Sequence, residues 1–147
     1  MIKKILFLSM LILTSPLKAD EIKNCLTEVE LLEQKLKECK ISYAKNASTA
    51  DMNNATYAST DCAIRVAHQI FENYYSKTKD ESKETLNQLV KAIYKHAHHL
   101  QQSSDFAQLN YTGTMYNLMA ISTADVMIKD VVKSYIDEIK MECKDKF

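Results

Sequence analysis

The chain has 147 residues, 46 % of them apolar and 26 % charged, with 19 basic side chains balanced by 19 acidic ones. That is enough for one domain with a modest core, and it excludes the low-hydrophobicity, highly charged class that stays disordered. One Gly and one Pro argue against a turn-rich all-β fold and against Gly-built phosphate loops, and Arg65 is the single arginine beside 18 lysines. With no net basic excess there is no electrostatic case for a nucleic-acid partner.

Residues 1–19 read as a secretory signal peptide. Lys3 and Lys4 form a charged start, Ile5 to Leu13 form an apolar run broken by Ser9, and a polar stretch holding Pro16 leads to Ala19 as the last residue before cleavage. The apolar run is too short to span a bilayer, whose core needs about 20 residues, so no stable membrane insertion is expected after cleavage. Cleavage removes Lys3, Lys4 and Lys18 and no acid, leaving residues 20–147 with 16 bases, 19 acids and a net charge of −3. A periplasmic or secreted location follows from a signal of this bacterial type.

Residues 21–44 carry the clearest helical pattern. Ile22, Cys25, Val29, Leu32, Leu36, Cys39 and Tyr43 alternate steps of three and four, the seam of a helix packed nearly parallel to its neighbours. Residues 46–60, rich in Asn, Ser, Thr and Ala, read as a loop or a weak helix. A second helix is expected over 61–77, with Cys62, Val66, Ile70 and Tyr74 inward. After a charged linker over 76–82, a third runs to about Gln101 with Leu86, Leu89, Val90, Ile93, Ala97 and Leu100 inward. Ser104 caps an expected fourth helix holding Phe106, Leu109, Tyr116 and Met119, which Gly113 weakens by roughly 1 kcal/mol. Ser122 and Asp125 resemble a capping box opening a last helix that buries Ile128, Val132, Tyr135, Ile136 and Ile139. The pattern supports an all-α fold, a four- to five-helix up-down bundle in one domain over 20–147.

An even number of cysteines in an exported chain points to two disulfides stapling the bundle. Cys25 and Cys39 on one uninterrupted helix stand about 21 Å apart at 1.5 Å per residue, too far to bridge. Cys39–Cys62 with Cys25–Cys143 is preferred, because a hairpin joins the first pair and an even number of traverses joins the second. If 104–121 and 122–143 formed a separate hairpin, Cys39–Cys143 with Cys25–Cys62 would gain. No Cys-x-x-Cys pair supports metal binding or redox catalysis by these cysteines.

The chemistry-bearing candidates are few. His96 and His99, at i and i+3, could share a transition metal if a third ligand such as His68 came from another helix. Otherwise no cofactor is expected. No Gly-x-Ser-x-Gly elbow and no His-Glu-x-x-His motif occurs, which argues against hydrolase chemistry. The function expected is therefore non-enzymatic binding of a protein partner, of the inhibitor, immunity or secretion-accessory kind. The 46–60 stretch with Tyr57 and Met52 is the candidate surface, since loops on rigid scaffolds carry recognition. Small-ligand or metal binding through His96 and His99 is the alternative.

Overall fold

The protein is described by a computed structural model over residues 16–76, 78–103 and 114–145. Among these residues the chain forms four helices, α1 (Pro16–Glu38), α2 (Thr49–Tyr74), α3 (Lys79–Ser103) and α4 (Thr114–Asp145). The hydrogen bonds between helices give their directions. Tyr74 reaches Glu28 and Lys35 reaches Gln69, so α1 and α2 run antiparallel. Thr60 reaches Asp125 and Tyr75 reaches Glu138, so α2 and α4 run parallel. The His68–Ser82 contact sets α3 antiparallel to α2. α2 and α4 form the most extensive helix pair, and α1 and α3 flank it on opposite sides without touching each other.

Burial follows the helical period. Val29, Leu32 and Leu36 of α1, Val66, Ile70 and Phe71 of α2, Leu86 and Ile93 of α3, and Ile128, Val132, Ile136 and Ile139 of α4 make one core. Ala63 and Ala67 of α2 and Ala124 of α4 are fully buried, and their small side chains let α2 and α4 approach closely. At the far end of that contact, Phe71, Tyr75 and Tyr135 meet edge-to-face with ring centroids 5.2–6.0 Å apart. Beyond it the chain turns at Ser76, a non-glycine residue with φ of 49°, which ends α2 in the left-handed conformation usual after a helix C-terminus.

The structure pairs Cys25 with Cys143 and Cys39 with Cys62, with Cα atoms 5.9 and 5.4 Å apart. The first staple ties Cys25, near the middle of α1, to the last turn of α4, and the second ties the end of α1 to the middle of α2. The Cys39–Cys143 and Cys25–Cys62 scheme is thereby set aside.

Several element boundaries differ from the sequence reading. α1 stops at Glu38, and Tyr43 lies on the surface instead of continuing the seam. Of the two readings for 46–60, loop or weak helix, the structure takes the helical one from Thr49 onward, as the first turns of α2. Ser48 and Asp51 form a reciprocal capping box there, with Asp51 N–H donating to Ser48 Oγ at 3.2 Å and Ser48 N–H donating to Asp51 Oδ2 at 3.0 Å. Thr78 and Glu81 make the same exchange at the start of α3. Ser122 and Asp125 do not open a helix. They lie inside an unbroken α4, whose apolar stripe runs straight through them from Ala120 and Ile121 to Ala124 and Ile128. The expectations for Ser104, Phe106, Leu109 and Gly113 fall outside the described residues.

Across the α1–α4 contact Glu33 accepts hydrogen bonds from Lys140 and from Lys37. These two cations, Lys140 foremost, pull the Glu33 carboxyl from its ordinary 4.5 down to about 2. The same bond, as its largest cause, raises Lys140 above its ordinary 10.5. A depressed acid stabilises the fold fully above its unfolded pKa and loses that effect as pH falls through its folded one. Stability should therefore decline between pH 4.5 and about 2 as Glu33 protonates, and on the alkaline side above 10.5 as Lys140 loses its proton. Urea titrations across both limbs should show Glu33→Gln with a flatter acid limb, and an unchanged acid limb would remove Glu33 from this role.

Candidate functional site

The irregular stretch of residues 39–48 is the most built loop among the described residues, and its anchoring starts in its own sequence. Cys39 N–H still bonds to Leu36 O at 3.1 Å, and Lys40 N–H turns back to Glu38 O at 2.8 Å, closing α1. The Cys39–Cys62 bridge then fixes the root of the loop to α2. Ser59 Oγ, on the same face of α2 one turn before Cys62, donates to Cys39 O at 3.2 Å. A turn with Ala47 N–H bonded to Ala44 O at 3.0 Å shapes the tip, and the Ser48–Asp51 capping box closes the exit. The Ser48 hydroxyl and N–H hold the Asp51 carboxyl below its usual range, so this rim stays negatively charged.

Tyr43 stands on this frame with about half of its surface (53 %) in solvent. It borders an open depression of about 550 Å³ shared between the loop (Ser42, Ala44, Asn46, Ala47) and the first turns of α2 (Asp51, Asn54, Ala55). The arrangement suits recognition, because an aromatic ring is presented without the ordering cost that a free loop would carry on binding.

Beneath the loop lies a buried polar cluster that no apolar period reveals. Thr60 Oγ1 donates to Asp125 Oδ1 at 2.9 Å, and Lys129 Nζ donates to Asp125 Oδ2 at 2.7 Å and to Ser59 Oγ at 2.6 Å. Thr56, Ser59, Thr60 and Asp125 are all buried. Tyr94 of α3 borders the cluster. Burial raises its phenol, nearby Tyr57, Asp61 and Asp125 add to that, and a hydrogen bond with Thr60 opposes it. Every carboxylate oxygen of Asp125 has a donor, so the cluster is a satisfied core device that runs through Ser59 to the root of the loop.

The residues singled out in the sequence are distributed as follows. Met52 and Tyr57 both lie on α2, about 140° apart around the helix, so they do not share a face. Met52 is half-buried, whereas Tyr57 is exposed and does not border the Tyr43 depression. His96 and His99 are both exposed on α3, because the inward stripe of that helix is Ser82, Leu86, Ile93 and Ala97. His68 cannot join them: its Nδ1 lies 2.8 Å from Ser82 Oγ, and Ser82 stands 14 residues, about 21 Å, before His96 along α3. No group of three or more metal-ligating side chains converges among the described residues. The Ser82–His68 pair superficially resembles a nucleophile with its base. Ser82 is fully buried in the helix contact, however, and offers no oxygen to a substrate.

Tyr43 was hidden from the sequence reading by the unbroken seam that ends on it. The pattern that could have exposed it is Ser48-x-x-Asp51, which starts a new helix and so requires the chain to leave the old one before residue 48.

Compared with known protein families, curated proteins and solved structures, the chain matches none.

Proposed function

We propose that residues 1–19 direct export and that residues 20–147 act outside the cytoplasm as a single non-catalytic bundle that binds another protein through the 39–48 loop and the face of α2 beside it that carries Asp51, Asn54 and Ala55. The observation that carries this reading is the clamped loop, with Tyr43 half in solvent between a disulfide and a capping box. Interfaces concentrate their energy in a few aromatic anchors on well-ordered surroundings, and Tyr43 meets both conditions. Two disulfides support an oxidising compartment, where such staples persist.

Export predicts an intact mass beginning at Asp20 in material recovered from outside the cytoplasm. Binding is tested with a photo-crosslinking residue at position 43, or at exposed Lys133 on α4 as the control, in protein exposed to the envelope and secreted fractions of the source cells. A discrete adduct is expected from position 43 and none from 133. With that partner purified, Tyr43→Ala should weaken binding at least about fivefold, a loss of about 1 kcal/mol or more. Tyr57→Ala should alter neither binding nor melting temperature appreciably, since Tyr57 is an exposed helix residue away from the depression. Adducts from both positions, or full affinity in Tyr43→Ala, would move the interface elsewhere.

A further inference from the structure

A second concavity lies between the later turns of α2 and the first turns of α3, on a different part of the surface from the Tyr43 loop. It is an open cleft of about 480 Å³. α2 supplies Arg65, His68, Gln69 and Glu72 to one wall, residues three to four apart that a helix stacks on one face. The facing wall comes from Lys79, Lys83 and Asn87, a run of i,i+4 steps on α3.

The cations of this cleft make no close ion pair. Among the described residues the ion pairs are Lys37–Glu33, Lys129–Asp125 and Lys140–Glu33, so Arg65, Lys79 and Lys83 are in none of them. Three basic side chains and one carboxylate, Glu72, line the cleft, in a chain whose residues 20–147 carry more acid than base. Arg65 is the only arginine of the sequence, and its planar fork matches an oxyanion as a lysine cannot.

The neutral groups are turned the same way. Gln69 Oε1 accepts from Lys35 Nζ at 3.1 Å, which leaves the Gln69 NH₂ as its donor for the cleft. His68 Nδ1 is engaged by buried Ser82, so Nε2 is the ring nitrogen left for a ligand, and the ring is held in place before any ligand arrives. Arg65, Lys79, Lys83 and the Gln69 NH₂ give the cleft more donors than the Glu72 carboxylate and Asn87 carbonyl give it acceptors, which favours a ligand made of acceptors.

We infer that the α2–α3 cleft is a binding site for a compact, multiply charged oxyanion, a phosphate ester or a polycarboxylate, with Arg65 as its principal ligand and Lys79 and Lys83 closing the facing wall. Glu72 opposes the anion and limits its affinity.

The test is isothermal titration calorimetry of the oxidised protein at low ionic strength with inorganic phosphate, glycerol phosphate and citrate as separate probes. Saturable one-to-one binding is expected for at least one probe, and whether phosphates or citrate prevail assigns the chemistry. Arg65→Gln should weaken it about tenfold, as loss of a charge-assisted contact does. Glu72→Gln should tighten it about threefold, and Lys133→Gln, which removes an equal charge elsewhere, should change it less than twofold. The three positions are exposed, so unchanged melting curves separate lost binding from lost fold. No saturable binding by any probe, or equal losses in Arg65→Gln and Lys133→Gln, would overturn the site.

Discussion

Replacing Cys25 and Cys143 together by alanine should lower the stability of the protein by about 5 kcal/mol, whereas replacing Cys39 and Cys62 together should cost about 3 kcal/mol. The difference arises in the unfolded chain. One bridge closes a loop of 118 residues and the other a loop of 23, and the entropy each removes from the unfolded state grows with the logarithm of that length. The unrounded difference is about 1.5 kcal/mol, and in a domain of this size each kcal/mol moves the melting temperature by about 3–5 °C, so the two variants should melt roughly 4–7 °C apart. Thermal denaturation without reductant measures this directly. Equal shifts, or the reverse order, would show that native packing around the sulfurs outweighs loop closure.

The two staples should also separate in function. Cys39–Cys62 holds the root of the loop that presents Tyr43, so its removal should weaken partner binding more than its stability cost implies. Cys25–Cys143 joins α1 to the last turn of α4 away from that loop, and its removal should leave binding intact wherever the fold survives.

The sequence was most informative where apolar residues recur without interruption. The steps of three and four from Ile22 to Leu36 mark α1, and the stripe from Ile128 to Ile139 marks α4, because burial there depends only on hydrophobic surface. Two occurrences of Ser-x-x-Asp show why local motifs alone mislead. At Ser48 the motif follows an exposed polar loop and caps α2. At Ser122 it lies among Ala120, Ile121 and Ala124, and tertiary packing carries α4 through it. Thr56, Ser59 and Thr60 extend the Ala63–Ala67 stripe at helical spacing, but their polarity reads as loop until a partner for them is known. That partner, Asp125, is 65 residues from Thr60, and no local pattern announces it. The α2–α3 cleft was illegible for the same reason, since its walls meet only when the two helices pack.

Asp125→Ala should destabilise the fold by about 3 kcal/mol, a large effect for one polar side chain. Asp125 is 1 % exposed, and both of its oxygens accept hydrogen bonds, from Thr60 and from Lys129. Thr60 has a fallback, since its hydroxyl also lies 3.1 Å from Thr56 O. Lys129 keeps only Ser59 Oγ and is drawn toward solvent, which its side chain, 23 % exposed, can reach. Asp125→Asn should cost only about 1 kcal/mol. Turned about its amide, Asn accepts from Lys129 and donates to Thr60, whose own hydrogen goes to Thr56 O. Lys129→Met leaves a buried carboxylate without its cation and should cost about 3–5 kcal/mol alone, but little once Asp125 is already alanine. Urea unfolding of the four proteins in that cycle gives the coupling between the two side chains. Near-additive losses would mean that Asp125 and Lys129 act independently, and that Ser59 anchors the root of the Tyr43 loop without help from the charge pair behind it.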